Sequence, residues 1–276
     1  MSIDGCVMSL AIVRTACVVV LAFASLVANG AAQAAPANHD CPEANNRTWV
    51  QGDGECLYIQ TFDRDKTVAA PLLLVFLHGD KSNGRSISWE IRYANQFASA
   101  NVVAVSMLRP GYPAEDGHRS TGDTSRSDTY TDHNITAVAG ALRRLKDYHA
   151  AQRLILVGYS GGAAIAGVII GKFPGLVNVA VLVACPCNIA AWRGRASPWK
   201  SLSPSDYIGG IAAGTQVLAM TGQRDTNTVE RLARDYVAKL RARNIAAEFR
   251  QIPVGDHDTT PSKPETVSAI KELLKP

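Results

Sequence analysis

The stretch Leu154-Ile155-Leu156-Val157-Gly158-Tyr159-Ser160-Gly161-Gly162-Ala163-Ala164-Ile165-Ala166 joins an apolar run of strand length to a run of small residues through a sharp turn. Strand, tight turn and helix in that order put the Ser160 hydroxyl at the tip of a sheet. A serine on so tight a turn has backbone close on both sides, so the positions two before and two after it must be small. Gly158 and Gly162 occupy both. The turn also aims the Gly161 amide and the start of the next helix at one point, where a negative charge would be stabilised. A nucleotide loop would need Gly-Lys-Ser/Thr here, and a dinucleotide fingerprint would need glycine where Ser160 stands. The plain alternative is a serine that only caps the helix.

Working outward, apolar runs of strand length alternate with stretches of helical period. Strands are expected at residues 57–62, 72–77, 102–107, 153–157, 177–184, 216–221 and 247–252. Helices are expected at 87–99, 134–149, 163–173, 228–243 and 265–274. This is the pattern of an α/β fold, a mostly parallel central sheet with helices on both faces. Ligands of such sheets sit at the carboxyl ends of the strands. The 276 residues, 47% hydrophobic and 19% charged, suffice for one large core and one domain, expected over residues 57–276.

A serine hydroxyl becomes a useful nucleophile only with a general base in reach, and the base needs a carboxylate to fix its tautomer. Of the six histidines, His257 in Gly255-Asp256-His257-Asp258 follows the last strand and precedes the last helix, which suits a base. A loop histidine that caps the last helix is the alternative. Asp225, in Thr221-Gly222-Gln223-Arg224-Asp225, follows the strand at 216–221 and can face the same crevice, or serve as a helix cap. Asp256 and Asp258 would have to fold back to reach His257. The chain order is therefore Ser160, Asp225, His257.

On these residues, with His78-Gly79 after the early strand, the chain resembles the α/β-hydrolase family from about Leu57 to Leu274. The resemblance implies a single α/β-hydrolase domain and an oxyanion hole built from the backbone amides of Gly161 and Asp80. An acid at position 80 departs from the family pattern. Its carboxylate must point away from a developing negative charge or be held by Lys81 or Arg85. The loop Arg109-Pro110-Gly111-Tyr112 looks like one that lines the substrate pocket, and His78, Tyr159 and Trp192 are grouped with it. For Arg109 a structural ion pair is the equal alternative. The segment between 184 and 216, carrying Trp192, Arg193, Trp199 and Tyr207, is too short for a large lid. The expected activity is cleavage of small soluble carboxylic esters through an acyl-enzyme. The alternatives are a serine peptidase of prolyl-oligopeptidase type, or an inactive binding module on the same scaffold. No cofactor and no metal is expected.

The first residues differ from the rest. Arg14 precedes the apolar run at 16–24, and Ala32-Gln33-Ala34 offers small residues to a signal peptidase, so residues 1–34 read as an export signal cleaved after Ala34. Export to a periplasm or the medium is expected, with no stable membrane anchor afterwards. Cleavage removes Asp4 and Arg14 and leaves the formal net charge at +4. Lysines and arginines are scattered, which gives no reason to expect a nucleic-acid partner. Of the six cysteines, Cys6 and Cys17 leave with the signal. Cys41 and Cys56 flank a polar, turn-rich segment, so a disulfide in an N-terminal extension at 35–56 is expected. Cys185-Pro186-Cys187 has three possible fates: free thiols, a bond to each other, or partners elsewhere. Two such thiols without a matching pair fall short of a zinc site.

Overall fold

The computed structural model describes residues 39–64, 69–80, 89–123, 129–194 and 200–275. The expected export signal at residues 1–34, and Lys81, Arg85 and Trp199, lie outside the described residues.

Strands β2 (Cys56–Phe62), β3 (Leu72–Leu77), β4 (Val102–Met107), β5 (Arg153–Tyr159), β6 (Val179–Val183), β7 (Gln216–Gly222) and β8 (Ala246–Ile252) coincide with the seven apolar runs. An eighth strand, β1 (Trp49–Gln51), pairs with β2 and has no counterpart in the sequence reading. Three residues are too few to show alternation, and this strand exists because β2 offers it an antiparallel partner. The sheet order is β1-β2-β4-β3-β5-β6-β7-β8. β1–β2 and β2–β4 are antiparallel, and every pairing from β4 to β8 is parallel.

Parallel strands covered on both faces must be apolar on both. Leu73, Val75 and Leu77 of β3 and Leu154 and Leu156 of β5 face one layer, and Leu74, Phe76, Ile155 and Val157 face the other. The first layer is closed by α2 (Asp132–Tyr148), α3 (Gly161–Lys172) and α5 (Glu230–Arg241), through Ile135, Leu142, Ile165, Ile169, Val237 and Leu240. The second is closed by α1 (Trp89–Phe97) and α6 (Pro264–Glu272), through Trp89, Tyr93, Phe97, Ala269 and Ile270. Between β6 and β7 the described residues hold only the five-residue α4 (Ile189–Arg193) and two short 3-10 turns. A large lid is absent from this described part of the excursion.

Cys41 is bonded to Cys56 at the start of β2, as the spacing suggests. Cys185 and Cys187 are bonded to each other just after β6, which resolves the three open fates.

Candidate active site

Gly158 and Gly162 are glycines for the reason the sequence implies. A Cβ on Gly158 would strike the Gly162 carbonyl, and one on Gly162 would strike the carbonyls of Leu77 and His78 at the end of β3. Ser160 sits between them at φ 50°, ψ −114°, in the left-handed region that costs a non-glycine residue about 1–3 kcal/mol. Its amide donates to Val183 O at 2.9 Å, so the β5–β6 ladder carries on into the turn and holds it. Ser160 occupies the N-cap position of α3, yet its side chain makes no capping bond. The helix-cap alternative is therefore excluded, and the hydroxyl points elsewhere.

It points at His257. Ser160 Oγ lies 3.0 Å from His257 Nε2, and His257 Nδ1 lies 2.9 Å from Asp225 Oδ2. With Nδ1–H donating to the carboxylate, Nε2 is left to accept the serine proton. The three residues come from the ends of β5, β7 and β8. Ser160 is only 5% exposed and Asp225 6%.

Asp225 is fixed by more than its histidine. Its Oδ1 accepts the amides of Asn227 at 2.9 Å and Thr228 at 2.8 Å. The Thr228 hydroxyl reaches Asp225 Oδ2 at 2.8 Å and Ala184 O at 3.0 Å. Burial would raise the carboxyl pKa, but the bonds from His257 and Thr228 outweigh it and hold the group below the usual carboxylate range. Asp256 is occupied closing its own turn, accepting the Thr259 amide at 2.8 Å, and so is not a rival partner for His257. On the other side of the ring, Tyr159 donates its hydroxyl to His257 O at 3.0 Å. Burial and then Asp258 push the Tyr159 phenol far above its ordinary pKa, so it remains a donor. Thr228 escaped the sequence reading. Its only signal is the spacing Asp225-x-x-Thr228, which suits a turn closed on the aspartate.

Most polar atoms of the residues grouped as a substrate pocket are engaged inside the protein. His78 is fully buried. Its Nε2 accepts the Arg109 amide at 3.0 Å and its Nδ1–H donates to Gly79 O at 2.7 Å. Arg109, 1% exposed, places Nη1 3.0 Å from Asp80 Oδ1 and 3.2 Å from His78 O, and Nη2 3.1 Å from Thr129 Oγ1. Tyr112 lies under the guanidinium and donates to Asp80 Oδ1 at 3.2 Å. Of these side chains, Arg109 stands against Gly161, the residue after the serine. Trp192 is half-buried and donates Nε1 to Asn227 O at 3.0 Å, bracing the loop that carries Asp225.

Asp80, the unexpected acid, is held by Arg109, while the two cations proposed from sequence, Lys81 and Arg85, lie outside the described residues. Tyr130 adds a bond to Oδ2 at 2.6 Å, and Arg193 Nη2 stands 3.9 Å from the same oxygen. Burial and the Asp80 charge push the Tyr130 phenol well above its ordinary pKa, so it stays protonated and donating. Gly79 has to be glycine, since a Cβ would meet the Tyr159 ring at 2.8 Å and Ser160 Cβ at 3.1 Å. This contact brings the backbone before Asp80 up to the serine. No group of three or more His, Cys, Asp or Glu among the described residues is arranged to hold a metal ion.

No curated protein matches the sequence. Solved structures do match in fold. The Pyrococcus furiosus esterase Pf2001 superposes with TM-score 0.62 at 16% identity, covering 82% of this chain and 88% of that one. Est1E from Butyrivibrio proteoclasticus, solved with ferulic acid bound, gives 0.60 at 12% identity, with 82% and 96% covered. Porphyromonas gingivalis dipeptidyl peptidase 4 gives 0.63 at 16%, with 82% of this chain but 34% of that chain covered. The family model described as alpha/beta hydrolase family spans residues 74–269, from within β3 to within α6. That span holds the serine turn, the aspartate loop and the histidine loop, and the chain belongs to the alpha/beta hydrolase family.

Proposed function

We propose that the protein is an exported serine hydrolase that cleaves carboxylic esters of small soluble substrates. The observation that carries this reading is the continuous hydrogen-bonded chain from Ser160 Oγ through His257 to Asp225, on three strand ends of one sheet. Ser160 Oγ attacks the ester carbonyl carbon while His257 Nε2 takes its proton. The carbonyl oxygen gathers negative charge between the amides of Gly161 and Asp80. Asp225 stabilises the imidazolium. Collapse expels the alcohol, which takes the proton from His257, and water admitted by the same base then releases the acid from Ser160. The short excursion between β6 and β7 supports soluble substrates over lipid surfaces. Export rests on the leader-like residues 1–34.

The test is hydrolysis of short and long nitrophenyl esters, beside an aminoacyl-proline anilide, by the mature protein and its Ser160→Ala variant. Serine-dependent turnover of the short esters is expected, and Ser160→Ala should remove nearly all of it with an unchanged melting temperature. Anilide cleavage would place the enzyme with the peptidases instead, a class also represented among its structural neighbours. Turnover that survives in Ser160→Ala would overturn the assignment of the nucleophile.

A further inference from the structure

The Asp80–Arg109 pair stands where an ion pair has chemical consequences. A Cβ placed on Gly161 would fall on Asp80 Oδ1 and lie 2.7 Å from Arg109 Nη1, so the pair is packed against the residue whose amide is the other oxyanion donor. A negative charge at that place opposes the one that develops in the transition state. The surrounding donors are arranged against this. Asp80 Oδ1 takes Arg109 and Tyr112, and Oδ2 takes Tyr130. Among these three only Arg109 brings a compensating charge, and the other cation near the carboxylate, Arg193, stands farther off at 3.9 Å from Oδ2. Its guanidinium is locked in place by His78 O and Thr129 Oγ1, and by rings of Tyr112 and Tyr130 at 4.8 and 5.4 Å from its central carbon.

We infer that Arg109 is a positioning residue that acts through Asp80: it neutralises and fixes the Asp80 carboxylate, so that the amide of an acidic residue can serve beside Gly161 in the oxyanion hole. The inference rests on the proposed role of Ser160. It differs from a plain structural ion pair in one consequence, namely that Arg109 matters to the reaction only while residue 80 carries a charge.

A fluorophosphonate probe reads this without knowledge of the substrate. Ser160 Oγ forms a bond to phosphorus, fluoride leaves, the serine proton passes to His257, and the phosphoryl oxygen takes up charge in the oxyanion hole. The measured quantities are the limiting labelling rate and the half-saturating probe concentration for wild type, Arg109→Met, Asp80→Asn and the double variant. Labelling is located on Ser160 by mass, and folding is checked by thermal unfolding. Arg109→Met is expected to lower the limiting rate roughly 100-fold, with half-saturation little changed. The double variant is expected to label at the rate of Asp80→Asn within about threefold and well above Arg109→Met. Comparing the double variant with either single variant suffices, so one misfolded single variant leaves a usable comparison. A double variant as slow as Arg109→Met, or about 100-fold slower than Asp80→Asn, would overturn the inference, as would a loss confined to half-saturation. Absence of any label on Ser160 in the wild type would overturn the functional reading and this inference with it. Labelled Ser160 with a failed double variant would overturn the inference alone.

Discussion

Asp225 shows how one carboxylate holds two jobs. Oδ1 closes the turn through the amides of Asn227 and Thr228, and Oδ2 is left for His257 and the Thr228 hydroxyl. The helix-cap reading of this residue is not met, since α5 begins at Glu230 with Val229 at its N-cap; Asp225 closes the turn before it through Oδ1 and meets His257 through Oδ2. Because the amides fix the carboxylate independently of the histidine, Asp225→Asn should keep the turn. It should still lose roughly 10⁴-fold in kcat, because an amide at Oδ2 favours the wrong imidazole tautomer. Steady-state kinetics on a short ester would show it, and a loss under about tenfold would count against the role. The same residue predicts a pH dependence of stability. Its folded-state pKa is depressed, so its contribution is complete above the unfolded carboxyl range, near pH 4, and drains away as pH falls through the folded value. Urea midpoints of wild type and Asp225→Asn should converge as pH drops from 5 toward 3. A constant or widening gap would contradict the depressed pKa.

At the scale of elements, the serine turn works because β3, β5, β6 and α3 crowd it from all sides. Gly162→Ala would drive a methyl into the carbonyls of Leu77 and His78, which are backbone and cannot rotate away. Its unfolding free energy should fall by about 1–3 kcal/mol, with slower labelling of Ser160. Gly214→Ala, at a position with open space around the added carbon, should change stability by less than about 0.5 kcal/mol. Equal midpoints for the two variants in denaturant would refute the crowding argument. The same crowding explains what was legible in the sequence. Interior strands and the glycines around Ser160 are dictated by local sterics and burial, so they can be read from the residues themselves. β5 runs on through Gly158 and Tyr159, where sequence reading stops at Val157, because their backbone pairs with Leu182 and Val183. The partners of Asp80 were not legible in the same way. Arg109, Tyr112 and Tyr130 reach it from segments about 29 to 50 positions away, with contacts that only the assembled sheet creates.

Across the whole molecule the sheet separates two tasks. The aspartate and histidine loops hang from β7 and β8 at one edge, while β1 and β2 at the other edge fasten the segment that starts at His39. Glu55, buried beside Cys56, is the hub of that fastening. It meets His39 Nδ1 at 2.9 Å and His133 Nε2 of α2 at 2.7 Å, and it accepts the Thr121 hydroxyl. The Cys41–Cys56 bond closes a loop of 15 positions over the same place. Chain-entropy reasoning assigns a loop of that size about 3 kcal/mol, because the bond restricts the unfolded chain more than it changes the folded one. Replacing both cysteines by serine should therefore lower the unfolding free energy by about 3 kcal/mol. The rate of Ser160 labelling well below the melting temperature should stay within about twofold of wild type, since two strands separate β2 from the serine strand β5 and four separate it from β7. Substitution is the right tool because a reductant would also open the Cys185–Cys187 bond, whose neighbour Ala184 accepts the Thr228 hydroxyl at the aspartate loop. If the double serine variant labelled many-fold more slowly at an unchanged melting temperature, the amino-terminal edge would have to be coupled to the site, and the division of tasks across the sheet would fail.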